Sequence, residues 1–196
     1  MQLSEQRQIL QSTFSFLRQE DIELLLDIAE YKLLKNKQVQ IEAGSTSQDL
    51  FFILKGMIRG YFFNEKGEEK NIFLRPEHTI TGAPESLFRA SKTKYTFEAV
   101  SETHLLVFQF KELQDLGFQN PRIIQLILEG YQENIQTLIG RVESLINQAP
   151  EERYQALLKR SPQFFEKAYN KHVANYLGIT AVSLSRIMKR KNNKKP

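Results

Sequence analysis

The stretch that decides the fold is KHVANYLGITAVSLSRIMKR, residues 171–190. With Gly178 in a tight turn between two short helices, Val173, Ala174 and Leu177 of the first helix face inward, together with Leu184 and Ile187 of the second and Ile179 from the turn. Ala174 is small where two helices cross closely, and glycine takes the positive φ of such a turn without a steric cost. Thr180 stands where its hydroxyl caps the second helix. Every inward position of a helix-turn-helix is filled. Ser183, Ser185, Arg186, Lys189, Arg190 and Lys191 fall off its apolar face.

Those outward groups suit a DNA groove. Arginine takes a guanine edge in bidentate fashion, whereas lysine and serine more often hold phosphates. Base reading is therefore expected of Ser183 and Arg186, with Ala181 and Val182 offering apolar contact to a thymine methyl. Thr180 and the remaining basic residues would hold the backbone. A structural hairpin with a solvated basic face is the alternative.

Charge separates the two. Residues 150–196 hold 11 Lys and Arg against 3 Glu, a balance of +8, while the other 149 residues hold 16 basic and 20 acidic side chains, a balance of −4. The net +4 of the whole chain conceals this asymmetry. Basic charge gathered at one end favours a polyanion as partner.

The rest of the chain changes character near residue 120. Before it, short runs rich in Phe, Ile, Val, Tyr and Thr are punctuated by Gly, Asn, Glu and Lys: YKLLKN, QVQI, DLFFILKG, MIRGYFFN, KNIFLR, YTFEAV and THLLVFQF. Turns are expected at Lys55-Gly56 and over Asn64 to Gly67. Short strands at this spacing predict an antiparallel sandwich or roll, preceded by an amphipathic helix in RQEDIELLLDIAEY. After a short helix at KELQDLG, Pro121 opens a long one. There Ile124, Leu128, Tyr131, Ile135, Leu138, Val142 and Leu145 recur at alternating steps of four and three, a heptad seam that predicts pairing of two chains. Ile123, Leu126 and Ile127 lie off the seam and would pack on the same chain.

The chain as a whole resembles the Crp/Fnr transcription regulators. The matching stretches are IEAGSTSQDLFFILKGMIRGYFFNEKGEEKNIFL, FEAVSETHLLVFQFKELQDL and HVANYLGITAVSLSRIMKR. The resemblance implies an α+β protein: a cyclic nucleotide-binding-like β-roll (double-stranded β-helix) over residues 1–118, a dimerisation helix over 119–148 and a helix-turn-helix domain over 149–196. It further implies a homodimer on a near-palindromic duplex, with RNA polymerase as a further partner of an activator. A candidate effector pocket falls on Gly82, Glu85, Ser86 and Lys94. The phosphate-binding turn departs from the pattern of cyclic AMP binders: in TGAPESLFRASKTKYTFEAV two residues separate Gly82 from Glu85, and Thr93 and Lys94 stand near the usual Arg-Ser. A phosphate there loses its fixed bidentate partner, and Lys94 or Arg89 would substitute only as looser charges. Cyclic AMP is thus not expected, and the effector stays unidentified. The printed chain stops soon after the second helix, so Lys191, Lys194 and Lys195 are expected to stand in for the family's wing as phosphate contacts.

No cysteine occurs, which excludes disulfides, thiolate metal sites, iron–sulfur clusters and a cysteine nucleophile. Metal-dependent cupins share such a barrel, but His78, His104 and His172 are far apart in sequence and form no His-x-His pair, so neither a metal nor catalysis is expected. The N-terminus lacks a basic start followed by an apolar core, and no stretch approaches 18 uninterrupted apolar residues. A cytoplasmic protein with no membrane partner is expected. A ligand sensor that acts through protein contacts remains the rival to a DNA-binding regulator.

Overall fold

The structure, a computed structural model, describes the backbone of residues 1–192 and the side chains of residues 1–190. Helices α1 (Leu3–Thr13) and α2 (Gln19–Ile28) precede strands β1 (Glu30–Leu34), β2 (Val39–Ile41), β3 (Asp49–Lys55), β4 (Met57–Phe63), β5 (Glu69–Pro76) and β6 (Ile80–Gly82). Helix α3 (Pro84–Arg89) separates these from β7 (Thr96–Ala99) and β8 (Thr103–Gln109). Then follow α4 (Phe110–Gln119), α5 (Pro121–Asn147), α6 (Pro150–Arg160), α7 (Gln163–Lys167), α8 (Asn170–Tyr176) and α9 (Ala181–Asn192).

The strands make two four-stranded antiparallel sheets, ordered β1-β8-β3-β6 and β2-β7-β4-β5. This is the expected roll. Strand β3 explains why DLFFILK reads as a continuous apolar run. Phe51 and Ile53 point between the sheets, where they meet Ile58, Phe73, Phe97, Leu105 and Val107, while Leu50, Phe52 and Leu54 point the other way into a core shared with the helices. Covered on both faces, the strand needs no polar alternation. The turn into β4 takes Gly56 at φ +99°, where a Cβ would lie 2.5 Å from the Glu102 carbonyl oxygen.

The helical layer outside the first sheet contains Leu10, Phe14, Ile22, Leu25, Phe110, Leu113, Ile123, Leu126 and Ile127. The off-seam residues of α5 thus anchor it to its own chain, as their positions suggested. A buried ion pair fixes the start of that helix: Arg122 Nη2 donates to Asp21 Oδ1 at 3.0 Å, and Asp21 is fully buried. Asp21 also accepts the Arg18 amide at 2.7 Å, closing the first turn of α2. Its bonds to Arg122 outweigh burial and hold its pKa down at about 2.

Several elements carried too little pattern to be expected. Helix α1 buries only Gln6 and Leu10, so no apolar stripe marks it. Strand β6 and helix α3 span three and six residues, less than the periods by which a strand or helix is told apart. Helices α6 and α7 fall between the long helix and the helix-turn-helix and complete the latter's core.

Candidate nucleic-acid interface

Helix α8 ends as the sequence requires. Gly178 has φ +71°; its amide donates to the Asn175 carbonyl and the Ile179 amide to the Ala174 carbonyl, both at 3.0 Å. These are the paired bonds of a Schellman turn, which satisfy carbonyls that the helix end would orphan. Two residues after Gly178, Thr180 Oγ1 accepts the Ser183 amide at 3.1 Å and caps α9. The two helices close over Val173, Ala174, Leu177, Leu184 and Ile187, all buried, with Ile179 partly so. Tyr154 and Leu157 of α6 and Phe164 of α7 complete this core, and Met57, Leu74 and Val100 join it from the roll.

The outward face of α9 carries the candidate contact residues. Ser185, Arg186, Lys189 and Arg190 are exposed, and Arg186 and Lys189 form no ion pair among the described residues. Arg190 approaches Glu151 at 3.7 Å with both side chains largely in water, a contact worth little. Ser183 is half-buried and its hydroxyl lies 2.9 Å from that of Thr180, so part of its bonding capacity serves the cap. Val182, 59% exposed at the first turn, presents an apolar surface beside Arg186. The side chain of Lys191, and Lys194 and Lys195 altogether, lie outside the described residues.

A buried polar seam fastens α8 to the roll. Arg59 of β4 donates to Glu98 Oε1 at 3.0 Å, to Asn71 Oδ1 at 3.1 Å and to Glu69 Oε2 at 3.1 Å, and stacks over the Tyr61 ring at 4.0 Å. Its Nη1 also lies 3.1 Å from His172 Nδ1. Asn71 donates its side-chain amide to the His172 carbonyl at 3.0 Å and its backbone amide to Asn175 Oδ1 at 2.6 Å. Burial, reinforced by the Arg59 charge, pushes His172 down to about 4. From α5, Arg141 donates to the carbonyls of Asn71, Ile72 and Tyr176 at 2.9 to 3.1 Å, bridging β5 and α8. None of these roles was anticipated. The available signal was Arg59 and Asn71 as polar intruders in MIRGYFF and KNIFLR, which an alternating strand would have left in solvent.

The long helix divides the expected seam in two. Leu128, Ile135 and Val142 are 61%, 56% and 54% exposed, and Ile139 and Ile146 beside them are 53% and 74% exposed. Those five form one uncovered apolar stripe. Of the other expected members, Ile124 packs against Gly117, Tyr131 against Phe88 and Phe110, and Leu138 against the roll's inner core, while Leu145, 42% exposed, lies beside Gly178. The exposed stripe keeps the four-and-three spacing of a heptad, while Ile124, Tyr131 and Leu138 are taken up by contacts within the chain.

The four candidate effector residues do not converge on one pocket. Ser86 is fully buried and donates to the Ser47 carbonyl at 2.5 Å; Glu85 accepts from Thr93 Oγ1 at 3.2 Å; Lys94 is exposed with its Nζ over the Tyr95 ring at 5.2 Å. Only Gly82 lines the cleft between roll and α5, about 130 Å³, whose walls include Leu50, Phe73, Leu87, Tyr131 and Leu138. This cleft is apolar, and the Tyr131 hydroxyl is buried there with no partner among the described residues; burial pushes it up to about 12.

Residues 31–120 match the cyclic nucleotide-binding domain family. An anaerobic regulatory protein of Haemophilus influenzae is 23% identical over 186 residues, covering 89% of this chain and 72% of that protein. Among solved structures, FixK2 from Bradyrhizobium japonicum superposes with a TM-score of 0.72 at 12% identity, covering 85% of this chain and 86% of its own. The c-di-GMP responsive global regulator CLP of Xanthomonas campestris superposes at 0.71 and 13% identity, covering 90% and 92%. The fold is the one these solved regulators share, and over residues 31–120 the roll is similar to the cyclic nucleotide-binding domain family. Among the described residues, no helix is long and apolar enough to cross a membrane.

Proposed function

We propose that the protein is a transcription regulator of the Crp/Fnr type that binds a near-palindromic duplex as a homodimer. The observation that carries this is the face of α9: Arg186 and Lys189 stand exposed and, among the described residues, unpaired on a helix whose opposite side is buried in a capped helix-turn-helix. Likeness to the H. influenzae regulator and to FixK2 supports it. In this account residues 1–118 sense, 119–148 pair two chains, and 149–196 contact DNA. The uncovered stripe of α5 pairs with its copy and sets two α9 helices one turn of duplex apart, roughly 34 Å. The role is non-catalytic and cytoplasmic, and an activator would also touch RNA polymerase. Any effector acts by favouring one arrangement of roll and α8 over another, since only differential affinity shifts an equilibrium.

Selection of bound sites from random duplexes with purified protein tests the proposal. Enrichment of a two-fold symmetric site with half-sites about one turn apart is expected. Recovery of no consensus at low salt would contradict it.

A further inference from the structure

At the end of β5, Arg75 is 2% exposed, yet its Nε and Nη2 meet no acceptor among the described residues. It differs in this from Arg59 and Arg141, whose guanidinium groups are engaged by carboxylates or carbonyls. Nε and Nη2 make up one edge of the guanidinium, the edge that takes a carboxylate or phosphate through two parallel hydrogen bonds. A buried cation left without an acceptor is costly. The Arg75 Cζ lies 5.6 Å from the centre of the Phe73 ring and Glu133 is the nearby acid, but neither gives Nε or Nη2 a hydrogen-bond acceptor.

A cleft of about 480 Å³ opens beside Arg75, walled by the end of β5, by α5 and by the segment from Arg160 to Tyr176. Arg160 lines it and is exposed, with no ion pair among the described residues. Thr137, Ser161 and Gln163 add neutral donors. Of its two acids, Glu77 is held by Lys167 at 2.5 Å and by the Gly56 amide at 3.3 Å, and Glu133 forms no ion pair with Arg75. The volume is that of a small-molecule site, and the uncompensated charge in it is positive.

We propose that this cleft binds a small oxyanion, a phosphorylated or carboxylated metabolite, held by the Arg75 guanidinium and contacted by Arg160. The site is separate from the apolar cleft under Tyr131 and from the turn at Gly82 to Ser86. Its walls come from the roll, the pairing helix and the segment that carries the helix-turn-helix, so a bound anion ties the three in the described arrangement. That consequence for DNA rests on the function proposed above. Binding of the anion does not.

The test is thermal unfolding and titration calorimetry of the full chain in inorganic phosphate and in succinate, each against chloride at equal ionic strength. At least one of the two anions is expected to raise the unfolding temperature, further at each higher concentration because the stabilisation grows as the logarithm of ligand concentration over Kd; which one does so tells phosphate from carboxylate. Arg75→Gln should abolish the shift while unfolding in chloride no lower than the parent, because it removes an unpaired buried charge. Arg75→Lys should lose most of the binding for want of a fork, and Arg160→Gln should weaken it several-fold. No response to either anion would overturn the site, as would a response that survives both Arg75→Gln and Arg160→Gln. No DNA enters the assay, so its failure and the failure of the regulator reading are distinguishable.

Discussion

Nη1 of Arg59 lies 3.1 Å from Nδ1 of His172, joining β4 of the roll to the first helix of the helix-turn-helix across 113 residues of sequence. With Arg59 as donor, Nδ1 accepts, which places the imidazole proton on Nε2 and keeps the ring neutral. Protonation would set two cations side by side in a buried seam. The docking of α8 on the roll is therefore tied to pH.

The folded pKa of His172, about 4, lies below its ordinary 6.5. The unfolded chain thus binds the extra proton first, and stability rises with pH between those values. The contribution is complete above pH 6.5 and is lost as pH falls toward 4. Urea unfolding followed from pH 7 to pH 4.5 should show falling stability in the parent and a flatter profile in His172→Asn. Equal slopes in both proteins would remove His172 from the account. Asp21, with a folded pKa of about 2, stays ionised across this window and does not obscure the comparison.

Arg122→Ala should be destabilising, because it removes the cation paired with the buried Asp21 carboxylate and leaves that carboxylate the Arg18 amide and the Asn120 side-chain amide as donors. Replacing both partners, Asp21→Asn with Arg122→Ala, should recover part of that loss. Urea midpoints of the two variants check it. A loss under about 1 kcal/mol in the single variant would mean that water reaches Asp21 and screens it, as at a surface pair.

Ile135→Asp combined with Ile139→Asp should give a folded monomer. Both side chains are more than half exposed and neither belongs to a buried cluster of its own chain, so the charge should cost pairing and not folding. Sedimentation velocity with circular dichroism separates the outcomes. A variant that stays dimeric would place the interface elsewhere.

Gly178→Ala should cost about 1 to 2 kcal/mol, the penalty for a side chain at left-handed φ. The added Cβ would also stand 3.2 Å from Leu145 Cδ2 at the end of α5. A lowered thermal midpoint together with weakened duplex binding is expected. No change in either would deny the turn a part in placing α9.

Much of this architecture was legible in the chain, and where it was not the reason is physical. The helix-turn-helix could be placed residue by residue because Val173, Ala174, Leu177, Leu184 and Ile187 carry one helix-packing pattern around a single obligatory glycine. The roll was legible because its strands are apolar runs between turn residues. The burial of Ile124, Tyr131 and Leu138 against their own chain was not legible, because they look the same in sequence whether they meet a second chain or the roll. Arg59 and Asn71 stood out as polar residues in apolar strands, but their partner His172 was not legible because it lies more than a hundred residues away, where neither period nor spacing relates them. The candidate effector residues came from a turn pattern, and a pattern does not say that Ser86 is spent on the Ser47 carbonyl.

The most direct test of the account is the affinity of the parent and of Arg186→Ala for one selected palindromic duplex, measured across a range of salt concentrations. The account predicts two chains per duplex, an affinity that falls steeply with salt because phosphates are neutralised, and a loss of about 1 to 3 kcal/mol in the variant confined to one base pair of each half-site if Arg186 reads a base. No duplex binding at low salt, or equal affinity of the two proteins for every sequence, would contradict it.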